Sequence, residues 1–316
     1  MLIKLALVLG VVVLTLVVII IVNARPRLKA GTLSTVSLPK DLDEYLAKSE
    51  SNIQGIRKGN QKGIVWNSPT HVTTPLSIVY IHGFSASRGE VSPVMETIAK
   101  SLGANLFFTR LSGHGQDSAA LALATVPEWI ADTSEAVGIG ERIGSRVILA
   151  GMSTGATLAL WAAMQRPNLA ALILMSPNFG LKDTRAGLLS WPGALPILKR
   201  LLGPKRSWEP KNDLQKQFWT YSYPLEALLP MMDVVELVNR LDLSQLKVPT
   251  LTFLSTNDET VNIDQIREKF KVIGTSRKDL IEISDAAGHV LTGDAVSPAT
   301  NQKVESQIVD FVKSLH

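Results

Sequence analysis

The spacing of apolar and polar positions changes along the chain, and these changes predict strands and helices. Several short runs are almost continuously apolar, for example SIVYI at 77–81 and AALILM at 170–175. Runs of this kind are typical of strands buried on both faces of a parallel sheet. The predicted strands are 63–66, 76–82, 105–111, 146–153, 169–176, 249–255 and 279–284.

Amphipathic stretches lie between these runs and predict helices. They occupy 42–49, 92–102, 127–143, 154–165, 262–271 and 301–315. Alternation of strand and helix favours an α/β layered fold with right-handed crossovers.

One segment, 178–247, interrupts the alternation with about 70 residues that contain no convincing strand. A structureless loop of that length would be unusual in a compact domain. We therefore interpret it as a helical lid over the carboxyl edge of the sheet, and a peripheral helical subdomain with an aromatic core is the alternative. Three of the six tryptophans and two of the four tyrosines lie in it, namely Trp191, Trp208, Trp219, Tyr221 and Tyr223.

The first part of the chain predicts a membrane anchor. Residues 5–22 read LALVLGVVVLTLVVIIIV, 18 positions without a charge. At ~1.5 Å per residue this stretch spans roughly 27 Å, close to the hydrocarbon thickness of a bilayer. We expect a single-pass transmembrane helix with membrane contact through residues 2–22, and a cleaved signal peptide is the alternative. Basic residues flank both ends, so the side of the membrane stays open.

These patterns divide the chain into five parts. They are a transmembrane anchor at 1–24, a linker at 25–60, a first core part at 61–177, the lid at 178–247 and a second core part at 248–316.

Composition excludes several classes of protein. A hydrophobic fraction of 46% against 19% charged residues excludes disorder. The absence of cysteine excludes a disulfide scaffold, cysteine-based zinc sites, iron–sulfur clusters and a thiol nucleophile. The net charge is +4 with basic and acidic residues interspersed, so no nucleic-acid partner is expected.

The strongest chemical signal is GMSTG at 151–155, which follows an apolar strand and precedes a helix rich in alanine and leucine. This is G-x-S-x-G in the strand–turn–helix context that presents a nucleophilic serine. The turn is crowded, so Gly151 and Gly155 must lack side chains. We predict Ser153 as the nucleophile.

A serine nucleophile needs a base and an acid that orients the base. Among five histidines, His289 lies just after the last predicted strand, which carries it to the same sheet edge as Ser153. Asp258 directly follows the strand at 249–255 and is the predicted acid, with Glu259 and Asp183 as rivals.

An oxyanion hole requires two backbone amides directed at the developing negative charge. We predict the amides of Thr154, directly after the nucleophile, and of Phe84, in the HGF turn at 82–84. A glycine pattern at 138–144 departs from the dinucleotide fingerprint in its last spacing and precedes a strand, so no such cofactor is inferred.

Together, HGF at 82–84, SGHGQD at 112–117, GMSTG, the acid in NDETV at 257–261 and GHV at 288–290 resemble the α/β-hydrolase superfamily. The resemblance is greatest to its lysophospholipase, monoacylglycerol-lipase and serine-aminopeptidase-like branch. It implies an α/β-hydrolase fold with a mainly parallel eight-stranded sheet flanked by helices, and a lid inserted after strand 6. It also implies no metal or organic cofactor, and hydrolysis through an acyl-enzyme.

The favoured hypothesis is a membrane-anchored serine hydrolase that cleaves a small-molecule or lipid ester. One alternative is an amidase or aminopeptidase, for which an acidic pair in the lid such as Glu226 and Asp233 would bind a substrate amine. The other is a non-catalytic tethered binding protein. The oligomeric state stays unknown.

Overall fold

A seven-stranded mixed sheet is the centre of the fold in the computed structural model, which describes residues 4, 9–11, 13–15, 18, 31–191 and 193–315. Its strands are β1 (Gly63–Val65), β2 (Thr74–Ile81), β3 (Asn105–Phe108), β4 (Gly144–Met152), β5 (Ala171–Met175), β8 (Thr250–Ser255) and β9 (Lys278–Ile283). Their order in the sheet is β1-β3-β2-β4-β5-β8-β9. Strand β1 runs antiparallel to β3, and all other neighbours are parallel.

Helices cover this sheet, which confirms the predicted α/β architecture with a mostly parallel sheet. The resemblance implied eight strands, whereas the described residues form seven in the main sheet. The helices are α1 (Leu42–Ser51), α2 (Val94–Leu102), α3 (Ser118–Leu123), α4 (Val126–Ile143), α5 (Thr154–Ala163), α6 (Ala194–Leu202), α7 (Asp213–Phe218), α8 (Leu228–Asn239), α9 (Ile263–Val272) and α10 (Asn301–Lys313).

The core has two layers, one on each face of the sheet. Side chains of a strand alternate between faces, so Val79 and Ile81 of β2 join one apolar cluster while Ile78 and Tyr80 join the other. All four are fully buried. Burial on both faces explains why the central strands read as continuous apolar runs.

The segment between β5 and β8 contains α6, α7 and α8, as the helical interpretation of 178–247 predicted. It also contains a short antiparallel pair, β6 (Lys205–Ser207) with β7 (Ser222–Pro224), which the sequence analysis missed. Strands of three residues are too short to carry a readable period-two pattern. The boundaries 178 and 247, and the role of this segment as a lid, stay predictions.

The predicted membrane anchor requires a correction. Most of residues 1–24 lie outside the described residues, and in the part that the structure does describe no helix has the length and apolarity needed to cross a bilayer. The longest described helix, α4, has 18 residues but carries five charged side chains, at 128, 132, 135, 141 and 142. Charges at that density are too costly in hydrocarbon. The prediction of a membrane-spanning localisation is therefore wrong on this structure.

Candidate active site

Ser153 lies at the sharp turn between β4 and α5, with φ of 55° and ψ of −118°. A positive φ is strained for a residue with a Cβ atom, and such strain is typical of functional turns. The glycines beside it are obligatory. A Cβ atom on Gly151 would overlap the backbone of Gly155, and one on Gly155 would overlap the carbonyl oxygens of Ile81 and His82. The turn can therefore approach β2 only because both flanking positions lack side chains.

His289 lies in the loop that follows β9, at the same edge of the sheet as Ser153. The end of β5 connects the two segments. The amide of Ser153 donates to the carbonyl oxygen of Met175 at 2.9 Å, and the hydroxyl of Ser176 donates to the carbonyl oxygen of His289 at 2.9 Å. The structure thus brings these two predicted site residues to one sheet edge, although 136 positions in the chain separate them.

Asp258, in the loop after β8, bonds directly to the imidazole. Its Oδ2 accepts a hydrogen bond from Nδ1 of His289 at 2.6 Å. Its Oδ1 accepts from the backbone amides of Thr260 at 2.7 Å and Val261 at 2.9 Å. Both oxygens of this buried carboxyl are therefore occupied by donors.

These donors determine the charge of Asp258. Burial acts to raise its pKa, but the hydrogen bond and the charge of His289, together with the amides of Val261 and Thr260, outweigh burial and lower the pKa. An ionised carboxylate only accepts hydrogen bonds, so Nδ1 of His289 must carry the proton. In the neutral imidazole, Nε2 is then the basic nitrogen.

The other two candidates for the acid, Glu259 and Asp183, form ion pairs with other residues. Glu259 forms an ion pair with Lys182 at 2.7 Å, and its side chain is 81% exposed. Asp183 forms an exposed ion pair with Arg185 at 2.8 Å. Only tertiary structure separates Asp258 from Glu259, because the two are neighbours in the chain and their side chains diverge.

The other described histidines have partners other than Asp258. His71 stacks on Trp66 and pairs with Asp43 at 2.9 Å at the surface. His82 and His114 are fully buried, and burial lowers the pKa of both, that of His82 to about 4. They are structural bases that stay neutral. His316 lies outside the described residues.

Ser153 and His289 do not form a hydrogen bond in this structure. His289 Nε2 is buried and has no hydrogen-bond partner among the described residues. A buried acceptor without a donor costs about 1–3 kcal/mol. A hydroxyl proton supplied by Ser153, or by an alcohol bound beside it, would satisfy this nitrogen.

The turn after β2 lies beside Ser153. A Cβ atom on Gly83 would lie 3.4 Å from Cβ of Ser153. Phe84 therefore follows a position close to Ser153, while Thr154 directly follows Ser153 and begins α5, where the first amides have no acceptor within the helix. The oxyanion role of these two amides stays a prediction.

Aromatic contacts hold the Phe84 side chain. Its ring packs edge-on against Tyr223 with ring centres 5.3 Å apart, and against His114 at 5.8 Å and Trp129 at 6.3 Å. Because Tyr223 belongs to β7, the 178–247 segment directly supports the turn beside the nucleophile. The sequence analysis did not predict this contact, which depends on the docking of that segment.

A further group at this edge was missed altogether. Glu90 is 1% exposed, and its Oε1 accepts hydrogen bonds from the Gly83 amide at 2.6 Å and from the Tyr80 hydroxyl at 2.7 Å. Burial raises the pKa of Glu90 to about 8, against the lowering effect of these two bonds. The position of Glu90, eight residues after His82, matches no sequence motif or periodicity that would identify a functional acid. Only its burial in the folded protein identifies it.

Among the described residues, no cluster of three or more His, Asp or Glu side chains could hold a metal ion. In the segment suggested for binding a substrate amine, Glu226 is paired with Lys199 at 2.9 Å.

Comparisons with known proteins show the family of this chain. The model of the "Alpha/beta hydrolase family" matches residues 78–298. The thermostable monoacylglycerol lipase of Bacillus sp. (strain H-257) is 24% identical over 224 residues, which cover 71% of this chain and 86% of that protein.

Solved structures show the same fold. A structure reported for the metagenome-derived lipolytic enzymes LipS and LipT superposes with a TM-score of 0.67 at 20% identity, covering 82% of this chain and 99% of the other. The monoacylglycerol lipase of Paleococcus ferrophilus superposes with a TM-score of 0.60 at 16% identity, covering 81% and 98%. Because the family match extends over more than half of the chain and the fold agrees, the protein belongs to the alpha/beta hydrolase family, in the branch that resembles monoacylglycerol lipases.

Proposed function

We propose that this protein is a serine hydrolase that cleaves carboxylic esters through an acyl-enzyme formed on Ser153. The observation that carries the proposal is the 2.6 Å bond between Asp258 and His289, which leaves Nε2 of the imidazole as the free base at the edge where Ser153 lies. The sequence relative named as a monoacylglycerol lipase supports ester hydrolysis.

The steps follow from these positions. His289 Nε2 takes the proton of the Ser153 hydroxyl as its oxygen attacks the ester carbonyl carbon. The imidazolium that forms is stabilised by the Asp258 carboxylate, and the amides of Phe84 and Thr154 donate to the oxyanion. The imidazolium then protonates the leaving alcohol. Water, deprotonated by the same nitrogen, attacks the acyl carbon, and the imidazolium returns this proton to the Ser153 oxygen as the bond to the acyl group breaks and the acid leaves.

The surroundings of the site favour an apolar acyl chain. Leu121, Tyr223 and Ala227 form a buried cluster against which Phe84 and Leu228 pack. This buried cluster joins the turn beside Ser153 to the 178–247 segment, in which Ile197, Leu201 and Leu202 of α6 leave apolar surface exposed. Burial of apolar surface contributes about 25 cal/mol per Å², so a longer acyl chain gains affinity where it covers exposed side chains of this kind. We propose a medium or long acyl chain.

The test uses the full-length protein and a series of p-nitrophenyl esters from acetate to palmitate. We expect kcat/KM to rise from acetate to medium chains, and a fluorophosphonate probe to label the protein at Ser153. Ser153→Ala removes both the hydrolysis and the labelling, while Ser306→Ala, at an exposed serine of α10 whose hydroxyl bonds to Lys303 in the same helix, keeps both. Hydrolysis that persists in Ser153→Ala refutes the proposed nucleophile. A preference for the matching p-nitroanilides refutes ester specificity.

A further inference from the structure

The carboxyl of Glu90 lies under the turn that borders the nucleophile, yet the steps above do not use it. It is fully buried, and both of the hydrogen bonds that it accepts end on one oxygen, Oε1. One of these donors is the amide of Gly83, the residue directly before Phe84. The Glu90 side chain therefore determines the orientation of the peptide unit that leads into the proposed oxyanion amide.

The second oxygen is also close to the site. A single methyl group placed on Gly83 would lie 3.1 Å from Oε2 of Glu90 and 3.4 Å from Cβ of Ser153. A negative charge on this carboxyl would therefore face the region where the oxyanion develops. In a site with little water such a charge is weakly screened and opposes the reaction.

The bonding pattern fits a neutral acid. In a protonated carboxyl, one oxygen is a carbonyl that can accept two hydrogen bonds and the other carries the proton. Glu90 shows this pattern, because both donors bond to Oε1. Burial also favours the protonated form, because burial raises the pKa of Glu90 to about 8.

We propose that Glu90 is a positioning residue of the oxyanion turn that acts as a neutral carboxylic acid, and that its deprotonation lowers the rate on the alkaline side. This inference rests on the proposed ester hydrolysis for its kinetic consequence, but not for the protonation state. The neutral acid holds the Gly83 amide and adds no charge, whereas the carboxylate repels the oxyanion.

The elements packed against Glu90 carry other ionisable groups, and among the described residues no basic side chain is bonded to its carboxyl. The pKa of Tyr80 is raised well above its usual value, first by burial and then by Glu90, so the phenol stays a neutral donor. The Arg88 guanidinium lies over the ring of Phe108 at 4.2 Å. These elements also carry Glu96 and Lys100 of α2, Asp213 and Lys216 of α7, which pair with each other at 3.1 Å, and His289 and Asp294 of the loop that reaches Glu90 through Gly293.

Two substitutions separate charge from geometry. Glu90→Gln keeps an acceptor oxygen for Gly83 and Tyr80 but cannot ionise, so we expect kcat at pH 7 within about threefold of the wild type. Above pH 8 the wild type should lose rate about tenfold per pH unit, and Glu90→Gln should not. Glu90→Ala leaves the Gly83 amide without its acceptor, and we expect kcat to fall about 10²-fold at every pH with little change in KM.

Glu96→Gln is the matched control. Glu96 is another acid on the same side of the sheet, and its Oε1 accepts from Ser92 at 3.1 Å instead of from the oxyanion turn. This variant should keep the alkaline decline. An identical alkaline decline in Glu90→Gln, or a loss of activity in Glu90→Gln as large as in Glu90→Ala, overturns the proposal.

A measurement without turnover distinguishes failure of this proposal from failure of the proposed function. The infrared difference spectrum of wild type minus Glu90→Gln should contain the carbonyl band of a protonated carboxylic acid at pH 7 and lose it as the pH rises past about 8. Absence of that band at pH 6–7 overturns the neutral acid even if the esterase assays succeed. Its presence in a protein without Ser153-dependent hydrolysis keeps the neutral acid and refutes the esterase.

Discussion

Replacement of Asp258 by asparagine tests how the loop after β8 controls the base. The backbone amides of Thr260 and Val261 both donate to Oδ1 of Asp258. In Asp258→Asn the amide oxygen of the new side chain must occupy this position, because the NH₂ group cannot accept. The NH₂ group then faces Nδ1 of His289, so Nδ1 must become an acceptor and the imidazole proton moves to Nε2. A protonated Nε2 cannot take the proton of Ser153.

The expected fall in kcat is that caused by loss of the reactive tautomer of His289 while the geometry of the site is retained. For a triad of this kind that loss lowers kcat by about 10³- to 10⁴-fold, or roughly 4–5.5 kcal/mol of transition-state stabilisation. The fold should be retained, because the two amide bonds to Oδ1 persist. KM should change little, since Asp258 is 2% exposed and does not reach a substrate.

The assay is steady-state hydrolysis of p-nitrophenyl butyrate beside thermal unfolding of both proteins. Glu259→Gln is the control, because Glu259 is adjacent in the chain and its exposed ion pair with Lys182 contributes at most about 1 kcal/mol to stability. We expect kcat of the control within about twofold of the wild type. If Asp258→Asn retains kcat within tenfold of the wild type, Asp258 does not set the tautomer and the reasoning is wrong.

Three further predictions concern stability. Gly155→Ala should lower the free energy of unfolding by about 1–3 kcal/mol, because its methyl group overlaps backbone at the end of β2, whereas Gly187→Ala, with open space around it, should not change it in urea titrations. Arg110→Met should cost about 3–5 kcal/mol in the same titration, because it leaves the buried Glu50 carboxylate without the partner that now bonds it at 2.8 Å and 2.9 Å; a cost below 1 kcal/mol contradicts this. Because the pKa of Glu90 is raised in the folded protein, the carboxyl loses its proton near pH 4.5 in the unfolded chain but only near pH 8 in the folded protein. The free energy of unfolding therefore falls as the pH rises from about 4.5 to about 8. Melting curves from pH 5 to 8 should therefore show wild type losing stability relative to Glu90→Gln, by at most about 1.4 kcal/mol per pH unit, and parallel curves would contradict the burial argument.

In the 178–247 segment, the helices were predictable from the length and apolar content of the sequence, but the β6–β7 pair was not. The contact of Tyr223 with Phe84 depends on how that pair docks, because residues so far apart in the chain meet only after folding. At 5–22 the sequence predicted too much. The apolar run there predicted a membrane-spanning localisation, and no described helix supports it.

The sequence by itself determined the alternation of strands and helices and the sharp turn that carries the proposed nucleophile, because periodicity and the two glycines around Ser153 are local properties of the chain. It also pointed to a histidine after the last strand as the proposed base. Tertiary structure alone decided that Asp258 and not Glu259 meets His289, since that choice depends on the direction in which adjacent side chains leave a loop. Tertiary structure alone also decided that Glu90 is buried beneath the proposed oxyanion turn. The loss of water around its carboxyl depends on the residues packed against it and not on the residue itself.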